Sequence, residues 1–133
     1  MSTDPGSALK KVMLVEDDAD IRTVAKMALE MVGGLEVLAC ASGEQALAEV
    51  GGFAPQLVLL DVMMPGMNGP QVLERLRGRP DTAAIPVVFM TAKVQDKEVE
   101  ELRALGVLEV IAKPFDPMVL SDTVKGLWGR RGA

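Results

Sequence analysis

Short apolar runs alternate along this chain with stretches of helical period. Five runs stand out: Val12–Val15, Val37–Cys40, Leu57–Leu60, Val87–Met90 and Val110–Ala112. Each is almost continuously apolar rather than alternating apolar with polar. That pattern predicts strands covered on both faces, as in a parallel sheet between two layers of helices. The intervening segments repeat differently. Ile21, Val24, Ala25, Ala28, Leu29 and Val32 fall on one stripe of a helix, with Asp18 or Asp20 as its cap and Gly33-Gly34 as its stop. A second helix is expected from Ser42 to Val50, stopped by Gly51-Gly52. A third runs from Asn68 or Gly69 to Arg77 and a fourth from Asp96 to Leu105, closed by Gly78 and Gly106. A fifth starts with Asp116 as cap and Pro117 in its first turn, and carries Leu120, Val124, Leu127 and Trp128 on one face.

Five strand–helix units in regular succession, joined by short connections, predict an open, doubly wound α/β sheet of five parallel strands. Residues 1–9 read as a flexible lead-in, 10–128 as one domain and 129–133 as a basic tail. The whole chain is 133 residues long, 49% hydrophobic and 25% charged, which suits one compact domain and hardly two.

Composition then removes mechanisms. There is no histidine, so Ser-His-Asp and Cys-His nucleophile schemes and His-ligated zinc are excluded. Cys40 is the single cysteine; it cannot form an internal disulfide and reads as a small buried apolar residue. With no secretory signal ahead of it, a reducing cytoplasm is expected. No apolar run is long enough to span a bilayer. The net charge of −5 argues against a nucleic-acid or anionic-membrane partner.

In sheets of this kind, ligands sit beyond the carboxyl ends of the strands. Those ends carry Glu16, Asp17 and Asp18 after the first strand, Asp61 after the third, Thr91 after the fourth and Lys113 after the fifth. Taken singly, the acidic cluster is ordinary helix-cap chemistry, Thr91 a turn hydroxyl and Lys113 a solvated charge. Asp61 is odder, because it lies between Leu57–Leu60 and Val62-Met63-Met64, and a lone carboxylate in apolar surroundings is costly. Together they form a set. Close carboxylates repel unless a cation neutralises them. Oxygen ligands with room for water suit Mg²⁺. Glu16, Asp17 and Asp61 against Mg²⁺ and Lys113 make a near-neutral site that can admit a phosphoryl group, with Asp61 as nucleophile and Thr91 as a further donor.

These residues resemble a known family. Glu16-Asp17, the stretch from Asp61 to Gly69, Thr91-Ala92 and Lys113-Pro114-Phe115 are similar to the motifs of the receiver domain of two-component response regulators, over about residues 10 to 128. The resemblance implies a flavodoxin-like (βα)5 fold with strand order 2-1-3-4-5. It implies Asp61 as phosphoacceptor, with Mg²⁺ (or Mn²⁺) held by Glu16, Asp17, Asp61 and the Met63 backbone carbonyl. Asp17 would be the direct ligand of the acidic pair, and Glu16 would act through water. Thr91 would be the switch hydroxyl and Lys113 the phosphate contact, with a cis bond to Pro114. Two features depart from the family pattern. Val110 stands where an aromatic residue is usual, three positions before the lysine. Gly106-Val107-Leu108-Glu109 is unusually apolar, which leaves Val107 and Leu108 either in a partner surface or under the fourth helix.

The function expected is that of a stand-alone receiver, not an enzyme with an external substrate. It would take a phosphoryl group from a histidine kinase or a histidine phosphotransfer protein. It would signal by protein contact through the face of the fourth helix, fifth strand and fifth helix. Met63 and Lys93, two positions after Asp61 and Thr91, supply no amide or carboxylate to organise attacking water, so moderate phosphoryl lability is expected. The alternatives are a phosphorylation-independent interaction module and a Mg²⁺-dependent aspartyl phosphatase. The phosphatase reading lacks the second acid near Asp61 that protonates a leaving group.

Overall fold

The computed structural model describes residues 8–92 and 95–131. The lead-in up to Ser7, Lys93 and the final Gly132-Ala133 lie outside them. The elements alternate strictly: β1 (Lys11–Val15), α1 (Ala19–Met27), β2 (Glu36–Cys40), α2 (Gly43–Phe53), β3 (Leu57–Asp61), α3 (Gly69–Arg77), β4 (Val87–Thr91), α4 (Asp96–Arg103), β5 (Glu109–Ala112) and α5 (Leu120–Arg130). All strand pairings are parallel, and the order is β2-β1-β3-β4-β5. This is the doubly wound sheet that the apolar runs predict.

Strand alternation sorts the core into two layers. Val12, Leu14, Leu57, Leu59, Val88 and Met90 pack against α1 and α5. Met13, Val15, Val58, Leu60, Val87 and Phe89 pack against α2 and α3. The central strands β3 and β4 are buried throughout. The edge strands are not: β2 and β5 are only partly buried.

Local differences from the sequence reading have physical causes. The first helix continues past Met27 through a widened π turn, Ala28–Val32. That turn keeps Leu29 fully buried but carries Val32 off the apolar stripe into solvent, and Val24 is exposed as well. Asp18 is the cap, accepting from the backbone N–H groups of Asp20 and Ile21. α2 does not stop at Gly51-Gly52 but runs to Phe53. Glycine permits a helix end without forcing one. Phe53 packs on the core beneath the Lys11 ammonium, 4.4 Å from its ring centre, and the chain turns at left-handed Ala54 just before Pro55. Asp116 caps a tight turn over residues 117–119, accepting from Met118 N–H, and α5 proper begins at Leu120. At the chain ends, Leu9 is buried in the core. Helix α5 continues through Gly129 and Arg130, and Arg131 lies over the Trp128 ring at 3.2 Å.

Candidate functional site

The same alternation that builds the core aims the site. The hydrogen-bonded ladder runs one residue past two strands: Glu16 N–H donates to Cys40 O at 3.0 Å, and Lys113 N–H to Thr91 O at 2.9 Å. Counting by twos, Glu16 follows Leu14, Asp61 follows Leu59 and Lys113 follows Ile111. All three therefore leave the sheet on the α1–α5 side. Thr91 follows Phe89 and so belongs to the opposite face, where it is buried at the end of β4.

The side chains then meet. Lys113 Nζ lies 2.9 Å from Glu16 Oε1 and 3.0 Å from Asp61 Oδ1. Glu16 and Asp61 are each 1% exposed, so these are charges removed from water. Oxygens of Glu16, Asp17 and Asp61 all come within 4.8 Å of one another. Asp17 stays exposed at the mouth of the crevice. Glu16 uses its second oxygen to accept from Asp18 N–H at 3.1 Å.

Burial pushes the Asp61 carboxyl up to about 6; the Lys113 ammonium opposes this and the Glu16 carboxylate adds to it. Burial alone would lower Lys113, but its hydrogen bond to Glu16, its close contact with Asp61 and the charge on both carry it above its ordinary value. One lysine thus faces three carboxylates. Asp61 Oδ1 is buried and ion-paired but off hydrogen-bond geometry. An under-satisfied buried carboxylate beside two more oxygen donors fits a hard divalent cation such as Mg²⁺.

The loop after Asp61 is folded tightly over it. Gly66 turns the chain at a φ of +77°. The start of α3 then comes back so closely that a side chain at Gly69 would lie 2.6 Å from the Asp61 carbonyl oxygen. Asn68 closes this return with a reciprocal capping box to Gln71. Met63 sits in the loop with its side chain exposed. The Lys113–Pro114 bond is cis, as the resemblance implies.

Two residues near the site escaped the sequence reading. Gly69 reads as a helix start, although its real constraint is contact with Asp61. Arg22 lies on α1 outside the apolar stripe, and its Nη1 donates to the backbone carbonyls of Glu16 at 3.0 Å and Asp17 at 3.2 Å. The available signal was an arginine in the first turn of α1, five and six residues after the acidic pair.

The departures also find places. Leu108 packs on the α1–α5 layer of the core and Val107 on the other, so both serve the interior at least in part. Val110 borders a groove of about 280 Å³ between α4 and β5, with Val99, Arg103 and Ala112. α4 has no buried residue. A larger groove, about 670 Å³, lies among Gln56, Arg77, Ile85 and Trp128; it contains none of the acidic, threonine or lysine residues of the site. Cys40 is buried, and burial with help from Glu49 pushes its thiol up to about 11, which suits a structural role. No helix among the described residues is long and apolar enough to cross a membrane.

Comparison with known proteins agrees with this arrangement. A family model for the response regulator receiver domain matches residues 12–125. The phosphate regulon transcriptional regulatory protein PhoB of Pseudomonas aeruginosa is 36% identical over 92% of this chain and 53% of its own length. The regulator of RpoS of Escherichia coli is 36% identical over 79% of this chain and 30% of its own. The chain thus spans about half the length of PhoB and less of the latter. Among solved structures, the chemotaxis protein CheY4 of Vibrio cholerae superposes with a TM-score of 0.82 at 28% identity, covering 90% of this chain and 99% of that one. A response regulator from Chloroflexus aurantiacus gives 0.82 at 30% identity, covering 92% and 99%.

Proposed function

Because the chain belongs to the response regulator receiver family, we propose that it accepts a phosphoryl group on Asp61 from a phosphohistidine donor. It then signals by a change in protein contact. The observation that carries this reading is the crevice itself: a buried strand-end carboxylate held 3.0 Å from a lysine and within 4.8 Å of two further carboxylates.

An Asp61 carboxylate oxygen attacks phosphorus as the bond from phosphorus to the donor's imidazole nitrogen breaks. The products are an acyl phosphate on Asp61 and a free imidazole, which takes up a proton. Glu16, Asp17, Asp61 and the Met63 carbonyl would hold Mg²⁺, or Mn²⁺ in its place, which would supply positive charge to the phosphoryl oxygens. Glu16 and Asp17 provide the negative charge that retains the cation. Lys113, already poised against Asp61, follows the new charge and pairs with a phosphoryl oxygen. Thr91 donates its hydroxyl to another. The domain, taken as residues 10–128, catalyses only this transfer to itself and the hydrolysis of the acyl phosphate, which returns the Asp61 carboxylate and releases inorganic phosphate. Neither Met63 nor Lys93 brings an amide or carboxylate to organise that water, which supports a phosphoryl group of moderate lability. Met63→Asn and Lys93→Glu are expected to speed dephosphorylation, and unchanged rates in both would remove that part of the reading.

The donor is a histidine kinase or a histidine phosphotransfer protein in the cytoplasm. The outgoing partner is a protein, neither nucleic acid nor membrane, on the α4–β5–α5 face. Loose packing of α4 and the groove beside Val110 support that surface. Because Val110 offers no aromatic ring, the rearrangement passes through aliphatic packing.

The test is intact mass after treatment with acetyl phosphate and Mg²⁺. One adduct of about 80 Da, from a single added phosphoryl group, is expected in the wild type and none in Asp61→Asn. No adduct would instead identify a phosphorylation-independent module. Turnover of a phosphoester beyond one equivalent would identify an aspartyl phosphatase.

A further inference from the structure

The acidic pair presents a geometric problem. Glu16 and Asp17 are adjacent in sequence, yet both must face Asp61, one from within the fold and one from its mouth. Three carboxylates within 4.8 Å repel, and Lys113 contacts only two of them. Something must fix the peptide planes of this turn before a cation arrives. On one side the turn is held by Glu16 N–H bonded to Cys40 O and by Asp18, whose N–H donates to Glu16 Oε2 while its side chain caps α1. On the carbonyl side stands Arg22, with Nη1 at 3.0 Å from Glu16 O and 3.2 Å from Asp17 O.

We propose that Arg22 is a positioning residue for the cation site, holding the carbonyls of Glu16 and Asp17 so that both carboxylates stay turned toward Asp61. The proposal rests on the metal-dependent reading above. A planar guanidinium suits the task, because its fork holds the two N–H bonds of Nη1 in one fixed plane toward the two carbonyls, whereas an ammonium is a mobile point charge. It acts on the ligands' backbone, outside the shell that touches the ion; losing such outer partners ordinarily weakens metal binding 10- to 100-fold.

The sign of the effect separates this role from mere proximity. Arg22 is a cation near a cation site. If it were only a bystander charge, its removal would tighten Mg²⁺ binding. If it positions the ligands, its removal weakens it.

Calorimetric titration of Mg²⁺ into the purified chain reads this directly. Arg22→Met is expected to weaken affinity about 10-fold or more. Arg22→Lys keeps the charge but loses the fork, and should fall between that variant and the wild type. Lys26→Met removes an equal charge one turn along α1, where Lys26 pairs with Glu30 on the surface, and should leave affinity unchanged or slightly tighter. Circular dichroism without Mg²⁺ checks folding; if Arg22→Met does not fold, wild-type affinity in Arg22→Lys overturns the proposal by itself. Unchanged or tighter binding in folded Arg22→Met also overturns it. In Arg22→Met, the rate of adduct formation from acetyl phosphate should approach the wild-type rate once Mg²⁺ is raised to saturation. A wild type that takes up no Mg²⁺ would defeat the metal reading and this proposal together, whereas wild-type uptake with an indifferent Arg22→Met defeats this proposal alone.

Discussion

The third and fifth strand–helix units look alike in sequence and differ sharply in packing. Both place a short apolar strand before a charged residue, Asp61 in one and Lys113 in the other. β3 is buried along its whole length, and α3 seals it with Val72, Leu73 and Leu76. β5 is partly exposed at every position, and the neighbouring α4 buries none of its residues. The Asp61 carboxylate is thus mounted on the buried centre of the sheet, whereas Lys113 is mounted on its partly exposed edge. Two ion pairs from Lys113, to Glu16 and to Asp61, join the two regions. A phosphoryl group on Asp61 would redraw those pairs. The edge, having little packing to lose, is the part that can respond.

The largest effect that would sharpen this contrast is in the core. Phe89→Ala, at a fully buried position of β4, should cost about 3–5 kcal/mol of unfolding free energy. Leu102→Ala, on α4, should cost about 1 kcal/mol because its side chain is only half-buried. Denaturant titration of both variants measures the ratio, and equal losses would break the comparison.

Next comes the burial of Asp61. The folded Asp61 carboxyl titrates near 6, above its ordinary 3.8. Between those values the folded state keeps a proton that the unfolded state has released, so stability falls as pH rises through roughly 4 to 6 and then levels. Asp61→Asn should therefore raise stability by about 3 kcal/mol at pH 8, and most of the gain should vanish at pH 4. Thermal melts across that range test the sign; a variant less stable than wild type at pH 8 would refute it.

Mg²⁺ should offset the same cost. At about 100 times its dissociation constant it should stabilise the wild type by about 2.7 kcal/mol and Asp61→Asn by much less, as followed by melting with and without the ion. The smallest effect belongs to the edge. Arg103 and Glu109 form a 2.6 Å ion pair with both side chains substantially exposed. Arg103→Ala should cost about 0.5 kcal/mol or less. A loss above about 2 kcal/mol, well outside the range of exposed pairs, would show that α4 is clamped to β5.

Much of this molecule was legible before folding. The continuous apolar runs specified five covered strands, because a strand buried on both faces has no polar face to display. The caps were readable where a side chain bonds its own backbone: Asp18, Ser42 and Asn68 all do so. Helix ends were read less well where glycine was the only cue, as at Gly51-Gly52, because the end depends on what Phe53 packs against. The site followed from topology, since every parallel strand delivers its last residue to the same edge.

What the sequence by itself determined is therefore the kind of fold and the residues gathered at one edge, both of which depend on periodicity and strand direction. Tertiary structure alone decided which of those residues touch, how far burial lifts Asp61, that Gly69 presses on the Asp61 carbonyl, and that Arg22 reaches back to the acidic turn. It also decided that β3 is buried throughout and β5 partly exposed. The reason is physical: distances, dielectric surroundings and packing arise between segments far apart in the chain, and no local pattern carries them.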